Sequence, residues 1–261
     1  MVNYTANLTV MTGAARKAAR GLRRDFGEVE NLLVSVKGVS DFVTKADIKA
    51  EQVIREDLMH ARPAYGWMGE ESEPVEGADP RRRWIVDPLD GTTNFLHGLP
   101  HWCISIAMEN KDEIVAGVIY DPIKDELFTA EKGGGAWVNG KRIRVSNRKD
   151  LSECLFATGV PFGARKTLGQ TTKDLISLMP VCAGVRRLGS AALDLAYVAA
   201  GRYDGYWERE LQPWDMAAGL LMVREAGGYV SDMAGGTDIF GTGGVIASNS
   251  EINAKFSRLL T

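Results

Sequence analysis

The chain has 261 residues, 45% of them apolar and 25% charged, with a formal net charge of −3. That is enough apolar material for a substantial core, and the charge gives no global pull toward nucleic acid or an anionic membrane. Three widely spaced cysteines, Cys103, Cys154 and Cys182, suggest neither a disulfide framework nor a zinc cluster and point to a reducing cytoplasm.

The opening segment "MVNYTANLTVMTGAARKAARGLRRDF" is rich in arginine and has no acid before Asp25, which is also the composition of an organellar transit peptide. Leu8, Met11, Ala15, Leu22 and Phe26 fall near helical spacing, so a first amphipathic helix with a solvated basic face is the preferred reading. No apolar run approaches the length of a bilayer span, and no signal-peptide pattern is present. The segment "DIKAEQVIREDLMHA" predicts a second helix with Ile48, Val53, Ile54 and Leu58 as its apolar stripe. In "WIVDPLDGTTNF", residues 84–95, Trp84, Ile85 and Val86 predict a short buried strand. It should stop near Asp87, because Pro88 cannot donate to a ladder. Asp90-Gly91 predicts a turn, and Thr92 or Thr93 the N-cap of a following helix.

From residue 101 to 146 the pattern alternates and breaks at polar turns, Asn139-Gly140 among them, which predicts an antiparallel sheet covered by two long helices. After about residue 150 short strands alternate with helices, which predicts an α/β lobe. Two lobes of one unit are expected, residues 1–148 with most of the acidic clusters and residues 149–261 completing the site. The glycine runs at Gly133–Gly135 and Gly241–Gly244 read as turns, since no helix follows either directly.

Four acidic clusters carry the chemistry: Asp41 and Asp47 in "DFVTKAD", Glu70 and Glu71 in "GEES", Asp87 and Asp90 in "DPLDGTT", and Asp215 in "PWDMAAG". Singly, each has a structural explanation: a solvated loop for "GEES", helix capping for Asp47 and Asp215. The Asp87–Asp90 pair resists that explanation, because a turn needs one aspartate and two at a strand end repel. If the clusters converge, the oxygen-only donor set suits Mg²⁺ or Mn²⁺ rather than Zn²⁺. The three histidines, His60, His97 and His101, have no metal-ligand spacing.

"GEES", "DPLDGTTNF" and "PWDMAAG" in this order, with "RRLGSAALDLAYVAAGRYDGYWE" between them, resemble the signature of the inositol monophosphatase family of Mg²⁺-dependent, lithium-sensitive phosphatases. The likeness is closest to its bacterial extragenic-suppressor-type members and covers nearly the whole chain. It implies a mixed α/β fold, a layered αβαβα sandwich of the sugar-phosphatase type, with the site between the lobes. It also implies that Glu70, Asp87 and the Leu89 carbonyl hold one Mg²⁺ and that Asp87, Asp90 and Asp215 hold a second, with two or three ions per site. Glu71 is a supporting residue. Glu70 with the Thr92–Asp47 pair would position the attacking water, and Lys37, Asp41 and Thr44 fall on a segment that closes over the metals.

The resemblance places Gly91, Thr92 and Asp215 at the phosphate, and Ala191 and Glu208 at the substrate's ring hydroxyls. For Glu208 the structural alternative is a strand-end charge paired with Arg209. "ERELQPWD" also departs from the animal enzymes by carrying Arg209 and Glu210. The expected activity is hydrolysis of myo-inositol 1-phosphate by metal-activated water. Alternatives within the fold are histidinol phosphate, fructose 1,6-bisphosphate or 3′-phosphoadenosine 5′-phosphate, and from another class a regulatory binding protein. A homodimer is implied, with no membrane or nucleic-acid partner, and the basic stretches Arg16–Arg24 and Arg186–Arg187 read as solvated surface.

Overall fold

The computed structural model describes residues 4–26, 34–38, 41–160 and 166–260; of 34–38 and 41–44 it describes the backbone. Helix α1 (Ala6–Phe26) buries Leu8, Met11, Ala15, Ala18 and Leu22 and leaves Arg16, Arg20, Arg23 and Arg24 in solvent. The 3.6-residue period therefore reads out as a helix lying on a sheet. Strands β1 (Val34–Gly38) and β2 (Asp41–Thr44) pair antiparallel and lead into helix α2 (Lys45–Ala61).

The α2 stripe differs from the expected one. Ile54 and Leu58 are buried, but Ile48 is 52% exposed. The inward row is Ala46, Ala50, Ile54 and Leu58 at four-residue spacing, and the adjoining row, Asp47 and Glu51, is buried beside it. Small alanines let α2 approach α1 and β4 closely, and orienting two acids inward leaves Ile48 on the opposite side of the helix.

Seven strands follow the chain across one sheet: β3 (Gly66–Gly69), β4 (Arg82–Asp90), β5 (Cys103–Asn110), β6 (Glu113–Asp121), β7 (Glu126–Glu131), β8 (Gly135–Val138) and β9 (Lys141–Ile143). All neighbours are antiparallel except β3 and β4. The turn between β8 and β9 is Asn139-Gly140, both with positive φ (46° and 75°), as a tight hairpin requires.

The second sheet has the order β11-β10-β12-β14-β13, formed by β10 (Leu155–Thr158), β11 (Gly184–Arg186), β12 (Gly205–Glu208), β13 (Tyr229–Ser231) and β14 (Val245–Ser248). Strands β11, β10 and β12 are parallel, and β14 runs antiparallel to its neighbours. Between the two sheets lie α5 (Ala191–Ala199) and α6 (Pro213–Glu225), whose apolar residues join one core with Ile119, Phe128, Ala157 and Ala247. Outside the second sheet, α4 (Leu168–Leu178) and α8 (Asn253–Ser257) contribute Leu178 and Phe256 to a core with Phe156 and Trp207. Helices α1 and α2 cover the outer face of the first sheet, so the layers run αβαβα. Of two short helices, α3 (Thr92–Leu96) follows β4 directly and α7 (Ile239–Thr242) borders a cavity. Among the described residues no helix is long and apolar enough to cross a membrane.

Candidate active site

Strand β4 does not stop at Asp87. It continues to Asp90 with a register break: Asp87 faces Ser105 and Asp90 faces Cys103, so three steps on β4 oppose two on β5. Pro88 sits inside this bulge, where no ladder bond is asked of it. The bulge holds Asp87, 2% exposed, and Asp90, 9% exposed, at one end of the strand. Asp87 Oδ1 accepts from the Leu89 N–H at 2.9 Å.

The next turn is also not the expected one. Gly91, not Thr92 or Thr93, is the N-cap of α3, at φ 99°, and no side chain caps the helix. A Cβ at Gly91 would lie 3.1 Å from the His101 carbonyl oxygen and 3.2 Å from Trp102 Cβ, so both conformation and space select glycine. Thr92 becomes the first helical residue, and its hydroxyl, released from capping, lies 3.1 Å from Asp47 Oδ1 and 3.1 Å from the Leu89 carbonyl oxygen.

Two helix N-termini close on this strand end. Asp90 Oδ2 accepts from the Ser190 hydroxyl and from the Ala192 N–H at 2.8 Å, which ties β4 to the start of α5. Asp215, in the first turn of α6, accepts from the Gln212 N–H at 2.7 Å, half of a reciprocal capping box. Each of Asp87, Asp90 and Asp215 thus spends one oxygen on backbone donors. Glu70 follows β3, its N–H donating to Val86 O at 3.1 Å. The Glu71 N–H donates to buried Glu51 at 2.8 Å, which fits Glu71 as a support for the turn.

The electrostatics record convergence. Burial, and after it the charges of Glu70, Asp90 and Asp215, hold the Asp87 carboxyl well above the usual aspartate range. Asp215 is pushed up in the same way, by burial and then by Asp90, Glu70 and Glu208, against the pull of the Gln212 N–H. Asp90 rises through burial, opposed by its bonds to Ser190 and Ala192. Four carboxylates so placed are stable together only if protonated or met by cations, since each pair repels by several kcal/mol at a few ångströms, roughly 4 kcal/mol at an effective dielectric near 20. The donor chemistry, oxygen throughout, fits a hard divalent ion. Among the described residues no group of three His, Cys, Asp or Glu side chains stands close enough together to hold a metal ion as it is.

Glu70, Asp90 and Asp215 open onto a cavity of about 840 Å³ that Ala191, Glu208 and Arg187 also border, with Asp87 buried behind them. Glu208 ends β12 and accepts a hydrogen bond from the Tyr206 hydroxyl. It is not the surface partner of Arg209, whose guanidinium pairs with Asp174. Space for Glu208 is made by Gly159, where a Cβ would lie 1.8 Å from Glu208 Oε1. Arg187, read from sequence as plain surface, borders the cavity, whereas His60, His97 and His101 do not. The side chains of Lys37, Asp41 and Thr44 lie outside the described residues. Sequence reasoning missed Ser190, Glu51 and Gln212; only Gln212 left a readable sign, the capping-box spacing Gln212-x-x-Asp215.

The chain matches the profile of the Inositol monophosphatase family over residues 4–260. The inositol-1-monophosphatase of Rhizobium meliloti is 55% identical over 248 residues, 95% of this chain and 93% of that protein. The Nus factor SuhB of Escherichia coli is 46% identical over 245 residues, 94% and 92% of the two chains. The crystal structure of the extragenic suppressor protein suhB from Bartonella henselae superposes with a TM-score of 0.96 at 56% identity, covering 98% of this chain and 99% of that one.

Proposed function

This chain belongs to the inositol monophosphatase family and is a phosphatase, and from that premise we propose that it hydrolyses myo-inositol 1-phosphate with Mg²⁺. The observation that carries this reading is the convergence of Glu70, Asp87, Asp90 and Asp215 on the end of β4, where Thr92 follows in contact with Asp47. Glu70, Asp87 and the Leu89 carbonyl would hold one cation, and Asp87, Asp90 and Asp215 a second. When bound, the cations supply Lewis acidity to the phosphoryl group and acidify water.

The residues of the chain do the rest. Asp47 accepts from the Thr92 hydroxyl and so orients it toward the attacking water, whose proton passes to the Glu70 carboxylate. The N–H groups of Gly91 and Thr92 hold phosphate oxygens, which Gly91 permits by presenting no side chain. Glu208 accepts from ring hydroxyls, and Ala191 leaves room for the ring. The site lies between halves divided near residue 148. Lithium inhibition, Mn²⁺ substitution, a homodimer and a cytoplasmic location complete the proposal by family analogy.

A second reading, a binding role on the same fold, is favoured by the name Nus factor borne by the Escherichia coli relative. Phosphate release from inositol 1-phosphate, histidinol phosphate, fructose 1,6-bisphosphate and 3′-phosphoadenosine 5′-phosphate, with Mg²⁺, EDTA or lithium, separates the readings. Preference for the inositol ester, abolished by EDTA and suppressed by lithium, is expected. Preference for another ester would discard the role given to Glu208, and silence on all four would favour the binding role.

A further inference from the structure

We propose that helix α4 is the specificity-positioning element of this site, with Thr167 and Asp174 holding the strap Glu208–Gln212 so that Glu208 meets the substrate's ring hydroxyls. The inference rests on the role given to Glu208 above.

The strap runs from Glu208, at the end of β12, to Asp215, in the first turn of α6, and forms one wall of the cavity. Residues 209–212 are each fastened. Arg209 pairs with Asp174 of α4 in a contact where the aspartate side chain is fully buried and the arginine 11% exposed. Glu210 accepts from the Thr167 hydroxyl at 2.7 Å and from the Thr167 N–H at 3.2 Å, at the N-terminus of α4. The Leu211 N–H donates to Gly243 O at 2.8 Å, and Gln212 is bound to Asp215.

Two of these ties go to one helix. Thr167 and Asp174 are seven positions apart, about 10 Å along the axis of α4. Two anchors at that spacing fix the direction of the strap as well as its place. Glu210 has φ 63°, a left-handed backbone that a non-glycine residue adopts only when its surroundings impose it. The carboxylate on the α4 N-terminus is the imposing contact, and it is favoured there by the helix dipole. Burying the Arg209–Asp174 pair costs desolvation that an apolar pair would avoid, so its return is geometric.

Neither Thr167 nor Asp174 borders the cavity. Both therefore act through the strap, which borders the cavity with Glu208, Glu210, Leu211 and Gln212, and the property they set is the placing of Glu208 for a hydroxylated ring. The test compares Thr167→Val, Thr167→Ser and Asp174→Asn with the wild type in Mg²⁺, on inositol 1-phosphate and on 4-nitrophenyl phosphate, which has no ring hydroxyls. Thr167→Val should raise KM for the inositol ester by about three- to tenfold, the worth of one hydrogen bond, and leave its kcat and the 4-nitrophenyl reaction unchanged. Thr167→Ser should restore KM, and Asp174→Asn should act in the same direction as Thr167→Val. If Asp174→Asn fails to fold, the threonine pair decides alone. Equal losses on both esters, or an unchanged KM in Thr167→Val, overturn the inference. A wild type without preference for the inositol ester sinks the reading of Glu208 and this inference with it, whereas a preferring wild type with unaffected variants sinks the inference alone.

Discussion

His101 is a half-buried imidazole whose Nε2 is shielded from solvent and has no hydrogen-bond partner among the described residues, and its carbonyl oxygen accepts from Asn94 beside the Gly91 turn. Burial, then the Lys124 charge, lowers its pKa from 6.5 to about 4. The unfolded chain therefore takes up this proton first as pH falls. The neutral ring costs nothing above pH 6.5, and stability is lost as pH falls from there toward about 4. Urea midpoints across that interval should fall more steeply for the wild type than for His101→Gln, which cannot titrate. Parallel profiles would show that some other group governs acid unfolding. At this scale the sequence was partly legible: the histidines lacked ligand spacing, but which of them was half-buried depended on the turn after α3.

Helices α5 and α6 meet closely at Gly219, where a Cβ would lie 2.5 Å from Leu195 Cβ. In an isolated helix Gly→Ala would stabilise by about 1 kcal/mol. Here the obstructing atom is the root of a side chain and cannot swing away, and overpacking of this kind costs roughly 1–3 kcal/mol. Gly219→Ala should therefore lower the unfolding free energy by about 1 kcal/mol, read from urea denaturation. A stabilised variant would mean the two helices can separate without loss. Both helices belong to the alternation of short strands and helices that the sequence shows after about residue 150. That alternation could not announce that they share the layer between two sheets. The same limit explains β4: an apolar run and a proline predict an end, and only the pairing with β5 shows that a bulge carries the strand on to Asp90.

For the whole molecule, stability and site are in opposition without metal, because burial and like charges hold Asp87 above its ordinary range. A cation that binds only the folded state should stabilise by about 2.7 kcal/mol at a hundredfold excess over its Kd, raising the Tm relative to EDTA. Asp87→Asn removes one buried charge, so it should melt above the wild type in EDTA and lose the Mg²⁺-induced rise together with phosphatase activity. A variant that melts lower in EDTA and still responds to Mg²⁺ would remove Asp87 from the cation site.

The order of the acidic motifs, the oxygen-only donor chemistry and the alternation of strands and helices were in the sequence, because strand and helix periods and turn residues are local properties; the αβαβα layering was implied only by the family resemblance that those motifs carry. The glycine cap at Gly91, the burial of Glu51, the inward turn of Asp47 in place of Ile48, and the partner of Arg209 were decided by tertiary structure. Each depends on which distant segment arrives alongside: β5 for the bulge, the turn after β3 for Glu51, α4 for Arg209. Carboxylates distant in the chain repel and cannot meet by their own attraction; it is the packing of two sheets about one helical layer that brings them together.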